Sequence, residues 1–124
     1  MSDLDIDLSA QIDALKERRK ELLGIRVSPP GPSADDKRIQ RQVIDEKAII
    51  LLEKITALER IKDDRQSSQI IVRGLTDQER MDAEQALSRL GRVVQKEQTF
   101  DALMNTVNGL LRAADTLATT VQRP

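Results

Sequence analysis

Ile70-Ile71-Val72-Arg73-Gly74-Leu75-Thr76 is the stretch on which the fold turns, because long apolar periodicities run up to it and away from it. Three branched residues follow the wholly polar segment 62–69 and precede a glycine, and two readings compete. One is a short β-strand. The other is the last turn of a helix unbroken since about residue 34. One short strand has no obvious partner in this chain, so the helix is preferred. Gly74 then makes a tight helical hairpin turn. Thr76-Asp77-Gln78-Glu79 follows with the capping-box pattern, in which hydroxyl and carboxylate each satisfy an orphan amide.

Upstream, Ile44, Ala48, Leu51, Ile55 and Leu58 alternate four and three, the stripe of a packed helix. The run Ala48-Ile49-Ile50-Leu51-Leu52 is apolar around the whole circumference, so at least two helices are expected to cover it. Ser28-Pro29-Pro30-Gly31-Pro32-Ser33 reads as a stiff linker, since proline lacks the amide donor. Ser33 is placed to cap the second helix, with Asp35 and Asp36 in its first turn. Before the linker, Leu8, Ile12, Leu15 and Leu22 form a heptad stripe in which Arg19 fills the missing position. Asp7 or Ser9 can cap that helix, and Gly24 is expected to end it in the left-handed conformation. Leu4, Ile6 and Leu8 alternate with Asp3, Asp5 and Asp7, a pattern able to add a strand to a sheet edge. A frayed acidic first turn is the preferred account.

Downstream, Ala86, Leu90, Val93, Glu97, Phe100, Met104, Val107, Leu111, Ala114, Ala118 and Val121 alternate four and three without a slip. A second line, Leu103, Val107, Leu110, Ala114, Leu117 and Val121, widens the stripe. Thr99 is placed to cap a fresh helix after a kink, and that break is left open.

The expected architecture is all-α: an elongated three-helix bundle with a long antiparallel coiled-coil-like hairpin, residues 1–124 forming a single helical domain. Its helices are expected at about 9–23, 34–73 and 77–121. A 40-residue helix is about 60 Å long, so a rod follows. The core is nearly all aliphatic, with 15 Leu, 11 Ile and 7 Val against one Phe. A rod has little interior for its surface, and a long seam is what chains use to associate, so an oligomer or a stable partner is expected.

Chemistry is restricted by what is missing. The 124 residues contain no His, Cys, Trp or Tyr. That removes histidine bases, Ser-His and Cys-His pairs, thiolate zinc and disulfides. Asp35-Asp36, Asp45-Glu46 and Asp63-Asp64 are adjacent in sequence, so on a helix their carboxylates diverge by about 100°. No glycine-rich loop has phosphate-cradling form. No catalytic residue, cofactor or metal is implied, and an enzyme is not expected. With 20 basic against 21 acidic residues the net charge is −1, which gives nucleic acid no electrostatic footing. The acidic start lacks the basic region of a secretory signal, and the longest uncharged stretch, 102–111, is far short of a membrane span. Cytoplasmic residence is the expectation, with signal-independent export left open.

The functional expectation is a non-catalytic helical adaptor, scaffold or assembly subunit that binds a protein partner or itself. Its contacts are expected from Phe100, Leu103, Met104, Val107, Leu110, Leu111 and Leu117 on the last helix. Ile70, Ile71, Val72 and Leu75 at the hairpin tip complete the set. Two alternatives stand beside it: a peripheral membrane protein using the amphipathic last helix, and a small secretion-type chaperone or filament subunit.

Overall fold

The computed structural model describes residues 2–27 and 34–122. The linker expected at 28–33 and its Ser33 cap lie outside the described residues, as do the side chains of Asp35 and Asp36. The chain is mostly helical, in the order β1 (Ser2–Asp7), α1 (Leu8–Leu23), β2 (Arg26–Val27), α2 (Ala34–Arg65), β3 (Gln69–Leu75), α3 (Asp77–Leu90), β4 (Glu97–Gln98) and α4 (Phe100–Val121).

The deciding stretch is a strand. β3 pairs antiparallel with β1, Leu4 opposite Val72 and Ile6 opposite Ile70, and the Leu8 amide extends the ladder to the Ser68 carbonyl at 2.6 Å. This overturns the helical reading of residues 70–72 and the frayed-turn reading of residues 3–8. Each segment supplies the partner that the other lacks in its own neighbourhood. Both keep the period-two alternation of a half-buried sheet, with Leu4, Ile6, Ile70, Val72 and Leu75 inside and Asp3, Asp5, Ile71 and Arg73 outside.

Gly74 is therefore not a hairpin turn. Between the Ser2–Leu75 and Leu4–Val72 pairs, Arg73 and Gly74 stand against Asp3 alone, which is a β-bulge. Gly74 has φ 69°, a left-handed conformation, and its amide donates to Asp3 Oδ1 at 3.1 Å.

The expected helices change accordingly. α2 stops at Arg65, not near residue 73. The helix expected over 77–121 is two, since Gly91 ends α3 and Thr99 opens α4 by accepting the Ala102 amide at 3.2 Å. The apparent heptad line crosses a non-helical connection in which Val93 is 73% exposed. The long hairpin about Gly74 is lost with it: α3 and α4 fold back antiparallel, Arg89 meeting Gly109 near one end while Glu79 and Asp82 lie by Thr116 and Thr119 at the other. β2 runs parallel to β4, fastened by Arg26 N–H donating to Lys96 O at 2.8 Å. Gly24 ends α1 at φ −94°, outside the left-handed region expected of it.

The helical stripes read from sequence do form the core. Leu8, Ile12, Leu15 and Leu22 of α1 are buried, as are Ile44, Ala48, Leu51, Ile55 and Leu58 of α2 and Leu103, Val107, Leu110, Leu117 and Val121 of α4. They join Leu4, Ile6, Ile70, Val72, Leu75, Ala83, Ala86 and Leu90 in one aliphatic cluster drawn from β1, β3 and all four helices. At about 1.5–3 kcal/mol for each large side chain removed from water, this cluster is the main source of stability in a chain without disulfides.

Candidate functional site

The residues expected to meet a partner are mostly interior. Ile70, Val72, Leu75, Leu103, Val107, Leu110 and Leu117 are buried in the chain's own core, and Phe100, Met104 and Leu111 are half-buried. Of the expected set only Ile71 is well exposed, at 54%. The physical reason is the fold-back: once α3 and α4 pair, the broad stripe of α4 is consumed by α3 and α2, and the hairpin tip becomes a sheet sealed on its inner face.

The unpartnered apolar surface lies on α2. α1 and α4 pack on it, which fixes its orientation: Arg19 Nε donates to Ala48 O at 2.9 Å and Lys16 pairs with Glu59 at 3.1 Å on the α1 side. On the α4 side Lys54 meets Asp115 at 2.5 Å. The all-round apolar run is nevertheless not covered. Ile39 is 56% exposed, Ile49 55%, Ile50 39% and Leu52 44%. At about 100° per residue, Ile39 and Ile50 share one outer flank, next to the Lys54 side, while Ile49 and Leu52 lie toward the other. The expectation that two neighbouring helices cover this run is thus corrected: two helices do pack on α2, but they meet only its inner half.

A second feature is polar. The connection between α3 and α4 and the facing turns of both helices enclose a cleft of about 670 Å³, whose charged lining residues are Arg89, Arg92 and Arg112. Asn105 and Asn108 line it too, and no carboxylate does. Gln98 is internally committed, accepting from Thr106 Oγ1 at 3.0 Å and donating to the Gln95 carbonyl at 3.3 Å. Arg89 Nη1 donates to Gly109 O at 3.3 Å, which lays that guanidinium across α4. Arg92 and Arg112 have no ion-pair partner among the described residues.

Sequence reasoning passed over both features. The all-round run from Ala48 to Leu52 was a visible signal for the first. For the second there was none, because Arg112 reaches Arg89 and Arg92 only through the fold-back.

Among the described residues no group of three or more acidic, His or Cys side chains is placed to hold a metal ion. Within the same residues, no helix is long and apolar enough to cross a membrane. The chain matches no protein-family model, and no curated protein or solved structure matches it significantly.

Proposed function

We propose that this chain is a non-catalytic α-helical interaction protein, an adaptor, scaffold or assembly subunit, whose contact surface is the outer face of α2. The observation that carries the reading is the exposure of Ile39, Ile49, Ile50 and Leu52 along one helix. Single exposed apolar residues are ordinary, but four large ones within fourteen positions, two on each flank of one helix, are apolar surface of the kind that partners cover. Glu46 and Glu53 lie between the two apolar flanks, so the outer face presents two apolar edges separated by a charged line, which a helical partner seated along either edge can pair. Helix-on-helix packing, with a second copy or with a helical partner, is the mode that this surface serves. A cysteine-free aliphatic core suits such a protein to a reducing cytoplasm.

Light scattering at micromolar concentration tests the reading, together with tagged capture from the source cells. A native mass of two or more times 13.9 kDa, or a captured stoichiometric partner, is expected. The paired substitution Ile49→Glu and Ile50→Glu is expected to abolish either without lowering helicity. A wild-type chain that stays monomeric and captures nothing, or association that survives the substitutions, defeats the proposal.

A further inference from the structure

The cleft between α3 and α4 brings three arginines to one concavity. Five basic side chains elsewhere are paired: Lys16 with Glu59, Arg18 with Glu21, Arg41 with Asp45, Lys54 with Asp115 and Arg80 with Glu84. Here Arg89, Arg92 and Arg112 border one concavity with no carboxylate in its lining, while on its other side Arg112 borders a hollow lined by Glu79, Asp82 and Asp115. Like charges set around one concavity repel one another. A bound anion relieves that repulsion.

The residue types narrow the anion. Each guanidinium offers a rigid fork of N–H donors that matches phosphate and carboxylate oxygens two at a time. Asn105 and Asn108 add amides on the facing turns of α4, with no hydrogen bond to other described residues. The cavity, about 670 Å³, lies within the roughly 300–1,000 Å³ range of small-molecule sites and is much larger than a single phosphate requires. Three positive charges set around such a volume balance the two to three negative charges of a diphosphate. The apolar walls are few, Val93, Val94 and Leu110, so an extended apolar ligand finds little to bury there.

We propose that this cleft is a binding site for a diphosphate group, held by Arg92 and Arg112 with Arg89 as a pre-positioned third arm. The diphosphate has two sources, free pyrophosphate and a nucleoside diphosphate, and the site recognises the group they share. This site is separate from the α2 surface, so each stands or falls by itself.

Titration of the ¹⁵N-labelled full chain with inorganic pyrophosphate, with ADP, and with sodium sulfate and citrate at matched ionic strength provides the test. Saturable shifts are expected for pyrophosphate or ADP, confined to the 91–98 connection, the facing turn of α4 and the arginine Nε–H signals. Tighter binding of ADP assigns the nucleotide as the source; equal or tighter binding of pyrophosphate assigns the free anion. The double variant Arg92→Ala with Arg112→Ala removes two exposed side chains, so it should retain the wild-type circular dichroism while weakening binding by roughly tenfold or more. Absence of saturation, equal shifts with sulfate or citrate, or unchanged affinity in that double variant overturns the proposal.

Discussion

Arg18 and Glu21, one turn apart on α1, form a 2.7 Å ion pair that ties α1 to the far end of α3. The second carboxylate oxygen of Glu21 accepts the Val94 amide at 2.5 Å, and Arg18 Nη1 donates to the Leu90 carbonyl at 3.3 Å. Both side chains are largely buried, at 10% and 19% exposure, and Arg18 Nε has no partner. The pair thus holds the end of α3 and the start of the α3–α4 connection against α1, which fixes where that chain reversal occurs.

Removing one member of such a pair strands the other. Glu21→Ala leaves a guanidinium in a dehydrated site and frees the Val94 amide, and it is expected to cost about 3 kcal/mol or more in urea unfolding. Lys16→Ala, which breaks an exposed pair with Glu59, is expected to cost less than about 1 kcal/mol. Equal losses for the two variants would show that the Arg18–Glu21 tie is not structural.

The two strands allow a test by parity. Ile70 is 4% exposed and its neighbour Ile71 is 54% exposed, as alternation in a half-buried sheet requires. Ile70→Ala is expected to destabilise by about 2–5 kcal/mol through lost burial and a cavity. Ile71→Ala should stay within about 0.5 kcal/mol, as surface substitutions usually do. Comparable effects from the two would argue against a strand and restore a helix at this position.

These residues also mark where the sequence was legible. The stripes of α1, α2 and α4 could be read because helical periodicity is local, and the Thr76–Glu79 capping box could be read because its partners are three residues apart. Both of its bonds are present, Thr76 Oγ1 accepting the Glu79 amide at 3.1 Å and Glu79 Oε1 accepting the Thr76 amide at 3.0 Å. The β1–β3 pairing was not legible. Its strands lie at opposite ends of two helices, as the Ser2–Leu75 pair shows, and each alone resembles a helix end. The contact residues were misplaced for the same reason, since a stripe shows that a face is buried and not which surface buries it. Glu97, the single polar residue in the apparent seam from Ala86 to Val121, marked the break between α3 and α4.

Glycine substitutions separate conformation from crowding. Gly74 at φ 69° occupies a region that costs a side chain about 1–2 kcal/mol, so Gly74→Ala is expected to lower stability by that amount and weaken the bulge. Gly91 has φ −78°, and a Cβ there would meet only the Ser88 and Leu87 carbonyls at 3.5 and 3.7 Å. Gly91→Ala is expected to be neutral or to stabilise by up to about 1 kcal/mol. Thermal midpoints of the two variants, measured side by side, check the opposite signs.

Gly109 is the case in which stability and the cleft part company. It lies inside α4, where glycine costs about 1 kcal/mol relative to alanine. A Cβ there would approach Arg89 Cδ and Nη1 at 3.3 Å each, which is tight. The obstacle is an exposed, flexible side chain and not backbone, so Arg89 can yield, and Gly109→Ala is expected to raise the unfolding midpoint. The displaced guanidinium should at the same time lose its bond to the Gly109 carbonyl and leave its place in the cleft. Calorimetry together with the pyrophosphate titration reads both effects on one variant. A lowered midpoint would mean that the packing of Arg89 against α4 stabilises the fold more than the helical preference of alanine does.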